Sequence, residues 1–127
     1  MARAGGKQPA RPAARRGRFT ITARADAKVR KQRFDELDDA LAALERIAGE
    51  LADGAHARPA GGFLIRRLDP VEQVVGRVEL AGPGPMRAGV DVRGDGSSEA
   101  FLGRVRRRLL QQQDRETPID ALRRVLG

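Results

Sequence analysis

The chain has no cysteine, no tryptophan and no tyrosine, only four phenylalanines and a single histidine. Each absence removes a class of protein. Without cysteine there is no disulfide framework, zinc ribbon or thiol chemistry, and a reducing compartment is allowed. With so few rings the core must be built from Leu, Val, Ile and Ala, and little is left for aromatic platforms on which nucleic-acid bases stack. No apolar run approaches the roughly 18 residues of a membrane-spanning helix. The apolar segment of a secretory signal is also missing, so a cytoplasmic location and no membrane partner are expected. His56 has no second histidine or carboxylate cluster beside it in sequence, which leaves a solvated loop residue and no metal or cofactor to expect.

What the chain has in excess is positive charge. Its 127 residues carry 25 Lys/Arg against 17 Asp/Glu, a net charge of +8. Residues 1–33 contribute +10, residues 34–59 contribute −5, residues 60–100 contribute −1 and residues 101–127 contribute +4. The cations therefore sit toward both ends, with an acidic segment between them. The excess of Arg over Lys follows from GC-rich coding as readily as from function, so the clustering carries the information.

That acidic segment, Phe34 to Asp53, holds the clearest periodicity. Leu37, Ala40, Leu41, Leu44, Ile47, Ala48 and Leu51 recur at helical spacing. Asp35 is placed to cap the helix, Glu36, Asp38 and Asp39 complement its dipole, and Gly54 is the expected stop. Before it, residues 18–24 alternate as a strand, and residues 28–34 pair back as a basic strand with Lys31 and Arg33 exposed. Residues 1–17, rich in Arg, Pro and Gly, have no apolar face and are expected to be disordered.

After the central helix the sequence predicts a loop over residues 54–62, a strand over 63–68, and a helical turn at Asp69–Glu72. Further strands are predicted over residues 76–80 and 86–93. A second helix is expected from Ser97 or Ser98 to about Gln113, with Phe101, Leu102, Val105, Leu109 and Leu110 as its apolar stripe. A short third helix follows Thr117. Gly17-Arg18-Phe19-Thr20-Ile21 and Gly76-Arg77-Val78-Glu79-Leu80 share a pattern that suggests two β-β-α units. The expected fold is α+β: an antiparallel sheet of about four to five strands, two amphipathic helices on one face and a short C-terminal helix. The expected organisation is a leader at 1–17, one domain at 18–113 and the short helix at 114–127.

Several motif echoes fail on chemistry. Asp91, Asp95 and Gly96 match three positions of a calcium loop, but Arg93 and Leu102 occupy ligand positions. Gly82-Pro83-Gly84-Pro85 lacks the N–H donors and following helix of a phosphate loop and reads as a turn. Asp69, Glu72 and Glu79 do not form a convincing acid/base pair, because capping accounts for the first two. No catalytic residues are assigned, and an enzyme is not expected.

The candidate site is cationic. It comprises Arg15, Arg16, Arg18, Arg24, Lys28, Arg30, Lys31 and Arg33 on the leader and ribbon, with Arg104, Arg107 and Arg108 on one face of the expected second helix. The run GRFTITARADAKVRKQRFDELDDALAAL resembles, over under a third of the chain, the arm-type DNA-binding module of tyrosine recombinases, whose small basic sheet precedes an amphipathic helix. It lacks the tryptophan usual there. The order helix, three strands, helix from Asp35 to Gln113 is similar to that of double-stranded-RNA-binding domains, with Arg104 to Arg108 at the basic second helix. Neither resemblance assigns a family. The expected function is a non-enzymatic binding module for nucleic acid or another polyanion, acting through leader, ribbon and C-terminal helix. The alternative is a small structural or interaction protein, with an acidic protein or a second copy of the chain as its partner.

Overall fold

The computed structural model describes residues 17–57, 73–104 and 106–127. The leader up to residue 16, the strand expected over 63–68 and the turn at 69–72 lie outside these residues. In chain order the elements are β1 (Phe19–Ala25), β2 (Lys28–Phe34), α1 (Leu37–Ala57), β3 (Val74–Ala81), β4 (Arg87–Arg93), β5 (Ser98–Leu102), β6 (Arg108–Leu109) and α2 (Pro118–Leu126). The strands form one six-stranded antiparallel sheet in the order β2-β1-β3-β4-β5-β6. The fold is α+β, with more strands than the four to five expected.

Period-2 patterning decides what each face of the sheet meets. Phe19, Ile21 and Ala23 of β1 align through the ladder with Leu80 and Val78 of β3, then with Ala88, Val90 and Val92 of β4 and Ala100 of β5. These residues are buried beneath α1, which supplies Ala40, Leu41, Leu44, Ile47 and Ala48 to the same core. Small residues let the helix approach closely: a Cβ at Gly76 would stand 2.8 Å from Leu51 Cδ1. α2 adds Ile119 and Leu122 to this cluster. Thr117 and Asp120 close a reciprocal capping box at its start, and Pro118 occupies the first turn.

The helix expected over residues 97–113 is absent, and with it the second β-β-α unit. Ser98–Leu102 runs as β5 along β4, with Ala100 facing the core and Phe101 on the opposite side. Gly103, at φ +95°, ends the strand in a conformation that no helix continues. The segment is a good helix former locally, but the free edge of β4 offers backbone partners to an alternating stretch, and tertiary pairing overrides propensity. α1 also differs from expectation. It passes Gly54 and ends at Ala57, so His56 belongs to its last turn and not to a loop.

β1 and β2 are joined by a two-residue turn in which Asp26 (φ 52°) and Ala27 (φ 63°) are both left-handed. This is the primed turn whose twist matches a hairpin, and an alanine there is strained. Ala27→Gly is expected to raise stability by about 0.5–1 kcal/mol, since the relieved strain exceeds the added chain entropy of glycine. Chemical denaturation midpoints of the two proteins test this.

Ahead of α2, Arg124 clamps Glu116 through Nε at 2.7 Å and Nη2 at 3.0 Å, and reaches the Gln111 carbonyl at 3.2 Å. The Arg124 guanidinium, with the Gln113 N–H, holds the Glu116 carboxyl below the usual carboxylate range. A depressed carboxylate contributes stability above its unfolded pKa and loses it as pH falls through the folded value. Glu116→Gln is therefore expected to be slightly less stable than the parent at neutral pH. The difference should vanish on acidification below the carboxylate range, read by thermal unfolding across a pH series.

Candidate nucleic-acid interface

No helix covers the other face of the sheet among the described residues. The ladder places Lys31 and Arg33 of β2 beside Thr22 and Thr20 of β1, then Arg24 beside Arg77 of β3. Arg87, Asp91 and Arg93 of β4 and Glu99 of β5 continue the same face. Arg104 and Arg107 reach it from the β5–β6 connection. Among the described residues, eight cations thus share this face with three carboxylates, Glu79, Asp91 and Glu99.

An aromatic ring organises one end of it. Phe101 is only 2% exposed although it lies outside the helix-covered core. Its cross-strand partner is Gly89, where a Cβ would stand 2.6 Å from Phe101 Cζ and 2.6 Å from the Val78 carbonyl oxygen. The ring therefore lies across bare backbone of β4, an aromatic covering a strand glycine. The Arg77 and Arg107 guanidinium carbons stand 5.5 and 5.4 Å from its centroid, a double cation–π arrangement that shields the ring from water.

Carboxylates hold the arginines in place. Arg77 and Asp91 are directly cross-strand, and Arg77 Nε and Nη2 donate to the two carboxylate oxygens, the longer bond being 3.1 Å. Asp91 is the one buried charged residue among those described, and its carboxylate raises the Arg77 pKa above its ordinary value. Arg93 donates to Glu99 from Nε at 2.9 Å. Glu79 receives Arg24 in a close ion pair and Arg107 at 3.6 Å, so one carboxylate links β1 to the β5–β6 connection. Arg87 Nη1 donates to the carbonyls of Met86 at 2.7 Å, Gly84 at 3.3 Å and Gly82 at 3.4 Å, which ties the β3–β4 turn to the same face. Lys31 and Arg104 engage no carboxylate among the described residues.

The structure brings together only part of the expected site. Arg24, Lys31, Arg33, Arg104 and Arg107 share the open face. Lys28 and Arg30 belong to the helix side of β2, where Arg30 approaches Glu50 at 3.8 Å. Arg108 pairs with Leu102 in β6 and so aligns with the helix side too. Arg18 stacks on Phe19 at 5.4 Å. Arg15 and Arg16 lie outside the described residues. The helical face expected to align Arg104, Arg107 and Arg108 does not exist; Gly103 and the strand pairing of β5 and β6 remove it. Sequence reasoning missed Arg77, Arg87 and Arg93, although each occupies the outward position of an alternating strand, which is the signal that would have found them.

Between β1, β2, β3, β4 and the β5–β6 connection lies a half-open recess of about 130 Å³, bordered by Thr22, Arg24, Lys31, Glu79, Arg87 and Arg104. Across the molecule, α1 carries Asp38, Asp39, Glu45, Glu50 and Asp53 against a single Arg46. The surface of α1 is thus net negative, while Lys28, Arg30 and Arg108 add positive charge elsewhere on the helix side. The described residues contain no group of three or more His, Asp or Glu able to hold a metal ion.

Gly89→Ala is expected to destabilise the chain by about 2 kcal/mol or more, because one of the two clashing atoms is backbone and cannot swing away. Phe101→Leu is expected to cost less, removing the ring beneath Arg77 and Arg107 while their pairs with Asp91 and Glu79 remain. Urea unfolding of both variants reads the difference.

No protein family matches this chain, and no curated protein or solved structure is significantly similar to it.

Proposed function

We propose that the chain is a non-enzymatic module that binds nucleic acid through the open, basic face of its sheet. The observation that carries this reading is the collection, among the described residues, of eight cations against three carboxylates on one face that no described helix covers, with the acidic helix α1 on the far side. Such a field attracts a polyanion and orients its approach, because the acidic side repels it. Contact is made with phosphates. Phe101, the one aromatic ring of the face among the described residues, lies beneath two arginines, so base stacking contributes little and recognition is largely independent of sequence. Arg104 and Lys31 are the readiest contacts, since no carboxylate competes for them.

Opposite charge on two faces of one chain is also what head-to-tail self-association or an acidic protein partner would use. Salt-sensitive growth in light-scattering mass with concentration, in the absence of nucleic acid, would favour that second reading. Pairing of two β2 edges is disfavoured, because it would set Lys28, Arg30, Lys31 and Arg33 against their own copies.

Electrophoretic mobility shifts with generic DNA and RNA across a salt series test the proposal. A salt-steep shift is expected, and Arg104→Ala should lower the slope of log K against log salt by about 0.7–0.9, one phosphate contact. Glu79→Gln should tighten binding by about fivefold, the worth of roughly 1 kcal/mol for one charge at contact range in water. Lys28→Ala, on the helix side, should change little. Absence of any shift at low salt would exclude nucleic-acid binding.

A further inference from the structure

The recess on the open face has a size and charge more specific than the surface around it. At about 130 Å³ it lies well below the roughly 300 Å³ at which sites for whole organic ligands begin. It still exceeds the roughly 30 Å³ that one water occupies in the liquid several times over, which is room for a phosphate group but not for a nucleoside with it. Four cations, Arg24, Lys31, Arg87 and Arg104, border it against the single carboxylate of Glu79, and the Thr22 hydroxyl adds a neutral donor. Arg24 is shared with Glu79, and Arg87 spends only Nη1 on the turn carbonyls. Lys31 and Arg104 bring undivided charge from opposite walls, one from the edge ribbon and one from the β5–β6 connection.

A net charge of three on the walls of so small a recess suits a dianion with three free oxygens better than a monoanion with two. An internal phosphodiester carries one charge and must bring a sugar on each side. A phosphomonoester carries about 1.5 to 2 negative charges and presents three terminal oxygens to charge-assisted donors. We propose that this recess seats a phosphomonoester dianion, the group found at a phosphorylated strand end and on a free nucleotide. For the strand end the inference rests on the nucleic-acid reading of this face; for a nucleotide it does not.

Fluorescence anisotropy on the full chain compares one oligonucleotide bearing a 5′-phosphate with the same oligonucleotide bearing a 5′-hydroxyl, and NMR follows titration with a nucleoside monophosphate. The 5′-phosphorylated strand is expected to bind on the order of tenfold tighter, the gain from one to three added charge-assisted hydrogen bonds. Lys31→Ala combined with Arg104→Ala should erase that preference while the chain stays folded, both side chains being solvent-facing. The monophosphate should move the resonances of Thr22, Lys31 and Gly103. Equal affinity for the two strands, with no response to the monophosphate, overturns the seat and leaves nucleic-acid binding standing. A 5′-phosphate preference that survives the double substitution overturns its placement here. If neither strand binds but the monophosphate moves those three residues, the seat stands as a nucleotide site and the nucleic-acid reading falls. Failure of both strands and the monophosphate overturns both.

Discussion

A sheet covered by helices on one face must satisfy its other face as well, where no second apolar layer lies among the described residues, and most features of this molecule follow from that constraint. Burial of Ile21, Val78, Leu80, Val90 and Val92 beneath α1 fixes the register of β1, β3 and β4, since a one-residue slip would expose the core. The same register forces Arg24, Arg77, Glu79, Asp91, Arg93 and Glu99 onto the opposite side. Their ion pairs run between neighbouring strands, so the polar face ties together the ladder that the core aligns.

Glu79 and Phe101 divide the work on that face. Phe101 fills the space above Gly89 and gives Arg77 and Arg107 a surface to lie on. Glu79 stands where β1, β3 and the β5–β6 connection meet and restrains Arg24 and Arg107 at once. Three carboxylates cannot neutralise eight cations, however, and Lys31 and Arg104, which engage no carboxylate among the described residues, both border the recess. Exposed pairs of this kind contribute little to stability singly, roughly 0–1 kcal/mol each, so their arrangement matters more for what approaches the face than for holding it together. α1 complements this arrangement by carrying an acidic surface on the side away from the open face.

The edges of the sheet are treated differently from its faces. β2 carries Lys28, Arg30, Lys31 and Arg33 along its exposed length, a density of charge that discourages pairing with a second strand of the same kind. β6 is two residues long and offers little edge at all.

Much of this was legible in the residues alone. The helical spacing from Leu37 to Leu51, the alternation in β1, β3 and β4, the turns at Gly82–Pro85 and Gly94–Gly96, and the Thr117-Pro118-Ile119-Asp120 cap are local signals, and local signals survive folding when the surroundings agree with them. Excess positive charge near both ends, the acidic central helix and the lack of aromatic platforms are likewise properties of composition and order. Only the tertiary structure decided that Ser98–Leu102 is a strand, because its five residues satisfy either period and the free edge of β4 settles the choice. It also decided which cations share a face. Arg77, Arg87 and Arg93 join Lys31 and Arg104 from distant parts of the chain through strand pairing, whereas Lys28 and Arg30, adjacent in sequence to Lys31, fall on the other face because side chains alternate. Sequence determined that the protein is basic; the sheet determined that the charge has a face.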